Sequence, residues 1–356
     1  MNRPMNPQER ELDYPLGERL PAPAELVDVA PGVRWLRMPL PFALDHIHLW
    51  LLRDCFEGRE GWTLIDCGIA APETRALWQQ IEAESLGGLP IVRILCTHMH
   101  PDHLGLAAEL GERHQAPLWM TLGEYAMGRI LSATLPGTGG EASAAHFRQH
   151  GLTDAATLEQ MRARGDRHFS QLVPAVVTRY RRIHADETIA IGSGRWRVII
   201  GHGHSPEHAA LYEAEQRLLI SGDMVLPRIS TNVSVQPFEP DADPVNDYLA
   251  SLRRFETCAA DTLVLPSHGR PFRGLHTRLR QQHEHHEARL QETLEACRER
   301  PMSAMDLLPV LFRRPLDLHQ SSFAIGEAIA HLHALLTRGQ VRRSCDADGV
   351  FRFTAP

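Results

Sequence analysis

The densest chemistry in the chain lies in six consecutive residues, His98-Met99-His100-Pro101-Asp102-His103. Three imidazoles and a carboxylate at such close range suit a borderline divalent ion such as zinc, and histidines two apart can aim both rings the same way. The apolar run 91–96 reads as a strand that delivers this group in a loop at its carboxyl end. Four other apolar runs stop in the same manner. Leu64-Ile65 leads into Asp66-Cys67-Gly68, and residues 198–200 lead into Gly201-His202-Gly203-His204. Leu218-Leu219-Ile220 leads into Ser221-Gly222-Asp223, and Leu263-Val264-Leu265 into Pro266-Ser267-His268-Gly269. Each time a donor-type side chain stands beside Gly, Ser or Thr, which allow a tight backbone turn.

Taken in order, these five segments resemble the five motifs of the metallo-β-lactamase superfamily, over residues 30–275. The resemblance implies an α/β fold, the αββα sandwich, with a metal centre at one edge. It assigns His98, His100 and His204 to a first metal, Asp102, His103 and His268 to a second, and Asp223 to a bridge between them. Asp66 matches the acid that orients ligand histidines from behind, fixing their tautomer. Two divalent ions are implied, zinc first, with iron or manganese also compatible. The catalytic carboxylates are then Asp102, Asp223 and Asp66, around a metal-bound hydroxide that attacks an ester-like centre while a metal polarises the substrate oxygen. A thioester, carboxylic ester or lactone is the expected substrate. The alternative is endoribonuclease or phosphodiesterase activity; minor alternatives are a mononuclear-iron persulfide dioxygenase and a metal-binding module without turnover. Antibiotic-cleaving members usually lack the bridging aspartate and are exported. Glyoxalase-type members use a lysine that this chain does not have.

Composition narrows the rest. A chain of 356 residues fits about two domains. No window reaches the roughly 18 uninterrupted apolar residues of a membrane span, and the polar N-terminus lacks a secretory core. A cytoplasmic enzyme is expected. The six cysteines are scattered without a CxxC, which points to reduced thiols, with Cys67 and Cys96 as small buried residues. All 37 basic residues are arginine, so no Schiff base or lysine general base is possible. A net charge of −7 argues against a general binder of nucleic acid or anionic membrane.

Positioning these residues requires three parts: an N-terminal arm over 1–25, a catalytic domain over 26–275, and a winged-helix-like domain over 276–356. Within the catalytic domain, 121–185 reads as a helical lid with helices over 124–131, 142–150 and 154–172, the last capped by Thr153. Phe42 and Leu44, in the loop before the strand 46–52, are candidates for an apolar substrate wall. Arg179, Arg181 and Arg182 close the lid and read as a solvated charge run, with contact to an anionic substrate part as the other reading. His202 and His208 flank His204, either behind the ligands or as loop hydrogen-bonders. His283-Glu284-His285-His286 reads as a solvated helix face. Helices over 277–298, 303–312 and 320–337 and a hairpin over 340–354 suggest the winged helix. Its third helix offers no Arg, and from His276 onward 11 Arg face 10 acids, so duplex DNA is not an expected partner. A small-molecule substrate, no membrane and a possible homodimer complete the expectation.

Overall fold

The computed structural model of the protein describes residues 5–135, 137–164, 168–312 and 318–356. A first sheet runs in sequence order through β1 (Val27–Ala30), β2 (Val33–Pro39), β3 (His46–Phe56), β4 (Arg59–Ile65), β5 (Ile91–Leu95), β6 (Leu118–Met120) and β7 (Arg181–Arg182). Pairing is antiparallel up to β4 and parallel from β4 to β7. The second sheet is ordered β12 (Leu263–Pro266), β11 (Leu218–Gly222), β10 (His208–Glu213), β9 (Gly194–Gly201), β8 (Thr188–Ile191). In it β11 and β12 are parallel, and β10 runs against both β9 and β11. Consequently β9, β11 and β12 all point the same way, as do β4 and β5. The five polar loops therefore leave their strands at carboxyl ends, the geometry in which open α/β sheets hold ligands.

The sheets face each other across Trp35, Trp50, Trp196, Val198, Leu211 and Ile220, all buried. On the outer side of the first sheet lie α1 (Pro72–Glu84), α2 (Pro101–Leu104) and α3 (Ala107–His114), which bury Trp78, Ile81, Leu104 and Leu110. Strand β5 is buried along its whole length, as a central parallel strand covered on both faces must be. One charge is threaded through it. Arg93 lies in the interior, donating to Asp54 at 2.6 Å and to the Ala190 carbonyl at 2.9 Å.

Between β6 and β7 come α4 (Leu122–Ser132), α5 (Gly140–Gln149), α6 (Ala155–Arg164) and α7 (His168–Leu172). Of the helix expected over 154–172, the described residues form α6 and α7, and residues 165–167 lie outside the described residues. The cap of α6 is Asp154 rather than Thr153: its carboxylate accepts the Thr157 amide at 2.7 Å, three residues on. The second sheet is covered by α8 (Pro244–Phe255) and α9 (Leu275–Glu299). These are followed by α10 (Ala304–Leu311), α11 (Leu318–Thr337) and the hairpin of β13 (Arg342–Cys345) and β14 (Phe351–Thr354). Ser303 and Asp306 form a reciprocal capping box at the start of α10.

The α8–α9 core continues without a break into Ile325, Ile329, Leu335 and Phe353. The C-terminal segment therefore shares its hydrophobic core with the second sheet's outer layer. The solvated face expected at residues 283–286 is found only in part: Glu284 is exposed and His283 and His285 are half-buried, but His286 is fully buried and stacks on His331 with ring centroids 5.4 Å apart. The turn of α9 that carries His286 faces α11 and Tyr248, so packing overrides the polar sequence. The N-terminal arm is anchored to the core, since Leu12 is buried and Asp13 bridges to Arg273.

Candidate metal centre

The turn after β4 places Asp66 in the left-handed region, with φ at +62°, and swings its carboxylate under the β5 loop. There it accepts the Thr97 amide at 2.8 Å and His103 Nδ1–H at 2.8 Å. Carbonyl oxygens fix two further rings in the same way. His204 Nδ1 meets the Asn232 carbonyl at 2.8 Å, and His268 Nδ1 meets the His46 carbonyl at 2.7 Å. A carbonyl or carboxylate oxygen can only accept, so each of these Nδ1 atoms carries the proton and leaves its Nε2 lone pair free. These are histidines prepared for a cation.

The free donors converge. His98 Nε2 lies 2.8 Å from His100 Nδ1 and 3.2 Å from His204 Nε2. His268 Nε2 lies 3.4 Å from Asp102 Oδ2, and His103 Nε2 lies 3.6 Å from Asp102 Oδ2. Asp223 stands between the two groups. Its Oδ2 is 3.5 Å from both His204 Nε2 and His268 Nε2, and its Oδ1 is 3.6 Å from His103 Nε2. Donors bound about 2.1 Å from a tetrahedral ion sit roughly 3.4 Å from each other, which the separations of 3.2 to 3.6 Å match and the His98–His100 separation of 2.8 Å undercuts. Three overlapping sets, His98/His100/His204, His98/His103/Asp223 and Asp102/His103/His268, each keep their donor atoms within 4.8 Å. All seven residues picked out from the sequence are brought together. His103 Nε2 and Asp223 Oδ1 are buried without a hydrogen-bond partner, an arrangement that a cation between them would satisfy.

Electrostatics among the protein's own groups point the same way. Burial holds the His98 imidazole well below the usual range, and burial with His204 nearby holds His100 down to about 3, so both are neutral donors at pH 7. Burial would raise the Asp102 carboxyl, but His103 and His268 pull it down to about 2. Burial likewise opposes charge on His103, yet Asp66, Asp102 and Asp223 raise it to about 9. A pocket that attracts a proton this strongly will attract a divalent ion instead.

Several residues that position the centre were not singled out from the sequence. Glu124, fully buried at the start of α4, accepts the Met99 amide at 2.9 Å, the Ser205 hydroxyl at 2.6 Å and the Glu207 amide at 2.7 Å. It ties the loop of His98 and His100 to the loop of His204. Burial pushes its carboxyl up to about 7 against the pull of those three donors. The spacing Thr121-x-x-Glu124 imitates a capping box, which hides this role; in fact the Thr121 hydroxyl donates to the Glu207 carbonyl. His208 Nε2 accepts the Asp223 amide at 3.1 Å, whereas His202 Nδ1 only meets the Pro206 carbonyl within its loop. Gly222 has φ at +52°, and a Cβ there would run into the His208 ring, so glycine is required before Asp223.

Beside His100 opens a cavity of about 360 Å³, walled by α4 to α7, the segment 234–238 and the first turns of α11. Phe42 and Leu44 are not in its lining, and Phe42 packs onto the first sheet's outer core. The lid arginines are not in it either. All three are exposed, and Arg181 pairs with Glu187 and lies over Trp119. The two cysteines at the strand ends, Cys67 and Cys96, are buried free thiols, as expected.

Residues 45–268 match the sequence model of the Metallo-beta-lactamase superfamily, and residues 290–356 match that of the Metallo-beta-lactamase-like, C-terminal domain. The chain is 53% identical to a crystallised beta-lactamase domain protein from Burkholderia ambifaria, covering 99% of this chain and 100% of that one with a TM-score of 0.93. It is 28% identical to a metallo-beta-lactamase family protein, TTHA1429, from Thermus thermophilus, covering 92% and 100%, with a TM-score of 0.75. The probable metallo-hydrolase YqjP of Bacillus subtilis (strain 168) is 26% identical over 319 residues, which cover 84% of this chain and 91% of that protein.

Proposed function

The chain belongs to the metallo-beta-lactamase superfamily, and from that premise we propose that it hydrolyses an ester-like bond, a thioester, carboxylic ester or lactone, at a centre of two divalent metal ions. His98, His100 and His204 would hold the first ion, Asp102, His103 and His268 the second, and Asp223 would touch both. The observation that carries this reading is the position of the Asp223 carboxylate, 3.5 Å from a histidine of each set. That position also favours two ions over the single iron of a dioxygenase. When bound, two such ions supply an activated water and a Lewis acid for the substrate oxygen.

The remaining work falls to the chain's own residues. Asp66 keeps the proton on His103 Nδ1, and the Asn232 and His46 carbonyls do the same for His204 and His268. Glu124 and His208 fix the loops from which His98, His100 and Asp223 project. The lid and α11 enclose the space beside His100, where a substrate displaces water. Zinc suits the histidine-rich donor set, with iron or manganese as alternatives.

Three helices and a hairpin support reading the C-terminal segment as winged-helix-like. In α11, Ile325, Ala328, Ile329, Leu332 and Leu335 are buried, so the helix that would enter a DNA groove is occupied by packing. A small-molecule substrate fits the cavity better than an RNA backbone does, because no arginine among the described residues lines it.

The test is metal analysis with kinetics on one preparation. About two metal ions per chain and turnover of a thioester, ester or lactone are expected. A metal content that never exceeds one under excess zinc, iron or manganese would refute the dinuclear reading. Cleavage of labelled single-stranded RNA with no turnover of the ester panel would refute the ester reading.

A further inference from the structure

The cavity beside His100 has a composition that specifies its occupant. Met99, His100 and Pro101 line it, so whatever fills it lies against His100, one of the donors grouped with His98 and His204. Its walls are largely hydrocarbon, including Phe147, Met161 and Phe169 from the lid. Phe238 and Phe323, which also line it, keep 37% and 47% of their surface in solvent. Among the described residues the lining contains no Arg, Asp or Glu, and beyond His100 its polar side chains are hydroxyls and one amide. A carboxylate or phosphate buried there would find no counter-charge among the described lining residues, which is expensive. The C-terminal segment closes the wall at Gly326, where a Cβ would stand 2.8 Å from Ser234 Oγ, so only glycine lets α11 come this near the segment 234–238.

We propose that this cavity binds the uncharged hydrocarbon part of the substrate, a straight acyl chain, with α11 of the C-terminal segment as one wall. The proposal rests on the ester-hydrolase reading above. The metal centre sets the reaction, and the cavity sets the acyl chain. Each added methylene removes apolar surface from water and should raise kcat/KM by about fourfold until the cavity is full. A chain of equal length ending in a carboxylate should lose that gain.

The test uses the full-length metal-loaded protein and a series of straight-chain acyl thioesters, from acetyl to dodecanoyl, with ω-carboxylated counterparts. In parallel, calorimetry measures the binding of 1-octanol, which needs no turnover. The expected results are a rising kcat/KM with chain length, at least roughly tenfold discrimination against the ω-carboxylate, and octanol binding with a negative heat-capacity change. Ser143→Phe, which fills the cavity from α5, should remove the chain-length gain and octanol binding while metal content stays at the wild-type value. Ser322→Leu, from the opposite wall, should do the same and replaces it if Ser143→Phe does not fold. Octanol binding that both variants abolish, without hydrolysis of any ester, would overturn the reaction assignment and leave the cavity assignment standing. Ester hydrolysis indifferent to chain length, with no octanol binding, would overturn the cavity assignment and leave the reaction standing.

Discussion

Replacing Glu124 by alanine should loosen the metal centre without removing any proposed ligand. The carboxylate is fully buried and satisfies three donors on two separate loops, at 2.9, 2.6 and 2.7 Å. Alanine would orphan the Met99 amide and the Ser205 hydroxyl inside the protein, at roughly 1–3 kcal/mol each. The Glu207 amide is nearer to solvent, and water can replace its partner. About 3–4 kcal/mol falls on the loops that carry His98, His100 and His204, which converts to a roughly 100- to 1,000-fold loss of metal affinity. Glutamine is the informative control. Its carbonyl can still accept from Ser205 and Glu207, both of which use the same carboxylate oxygen, while its amide faces the Met99 N–H donor to donor. One broken contact instead of three should cost about tenfold. The assay is zinc competition against a chromogenic chelator, with far-UV circular dichroism and thermal unfolding of the same samples. Wild-type zinc affinity in Glu124→Ala would refute the reasoning. A lower melting temperature with unchanged zinc affinity would refute it too, because the role would then be structural only.

Other expectations follow from the same contacts. Asp66→Asn can donate to His103 Nδ1 as readily as accept, so the ring loses its fixed tautomer; metal affinity should fall about 10- to 100-fold with the fold intact by circular dichroism. Arg93→Met should leave the buried Asp54 carboxylate without its ion-pair partner, costing about 3–5 kcal/mol in urea unfolding. The double variant Asp54→Asn/Arg93→Met should recover most of that loss, because the amide oxygen still accepts from Cys55 and Gly192 and its NH2 can donate to Thr63; no recovery would mean that the arginine acts through its stacking on Trp119. The buried rings of His146, His150 and His333 lie between α5 and the C-terminal segment, with Arg343, Asp241 and Asp243 as their charged neighbours. Burial lowers His146 to about 4 and His150 to about 3. Both folded values lie below the unfolded 6.5, so the unfolded chain takes up protons first. Their stabilisation is present above pH 6.5 and is lost as pH falls towards about 3–4. Each such histidine should cost about 2 kcal/mol between pH 7 and pH 5, and His150→Leu should reduce that loss relative to wild type in urea titrations at the two pH values. Identical pH dependence in the two proteins would contradict this.

The donor residues that the fold brings together were legible in the sequence because each stands at the end of a strand. A strand must end before its loop can carry a donor, so the five apolar runs closing in Asp66, His98 to His103, His204, Asp223 and His268 announce themselves one by one. The layered fold is legible for a related reason: continuous apolar strands such as β5 demand cover on both faces. The chain order of elements in the C-terminal segment also came through, since caps such as Ser303 and stops such as Gly339 act within a few residues. What the sequence did not disclose are partnerships made across the chain. Glu124 lies 25 residues from Met99 and 83 from Glu207 along the chain, and locally it reads as a helix cap. Phe42 and Leu44 carry the right chemistry for a substrate wall, but neither lines the cavity beside His100, and Phe42 packs on the first sheet's outer core. The cavity instead collects Phe147, Phe169, Phe238 and Phe323 from four segments, none of which is distinctive alone. His286 reads as a solvated residue because its neighbours in sequence are polar, yet its neighbours in space are His331 and Tyr248. Side-chain type and spacing determine which donors can meet a metal, because coordination follows from strand ends. The lid, the cavity and the buried carboxylate that hold those donors depend on long-range packing, and only the tertiary structure decides which surfaces meet.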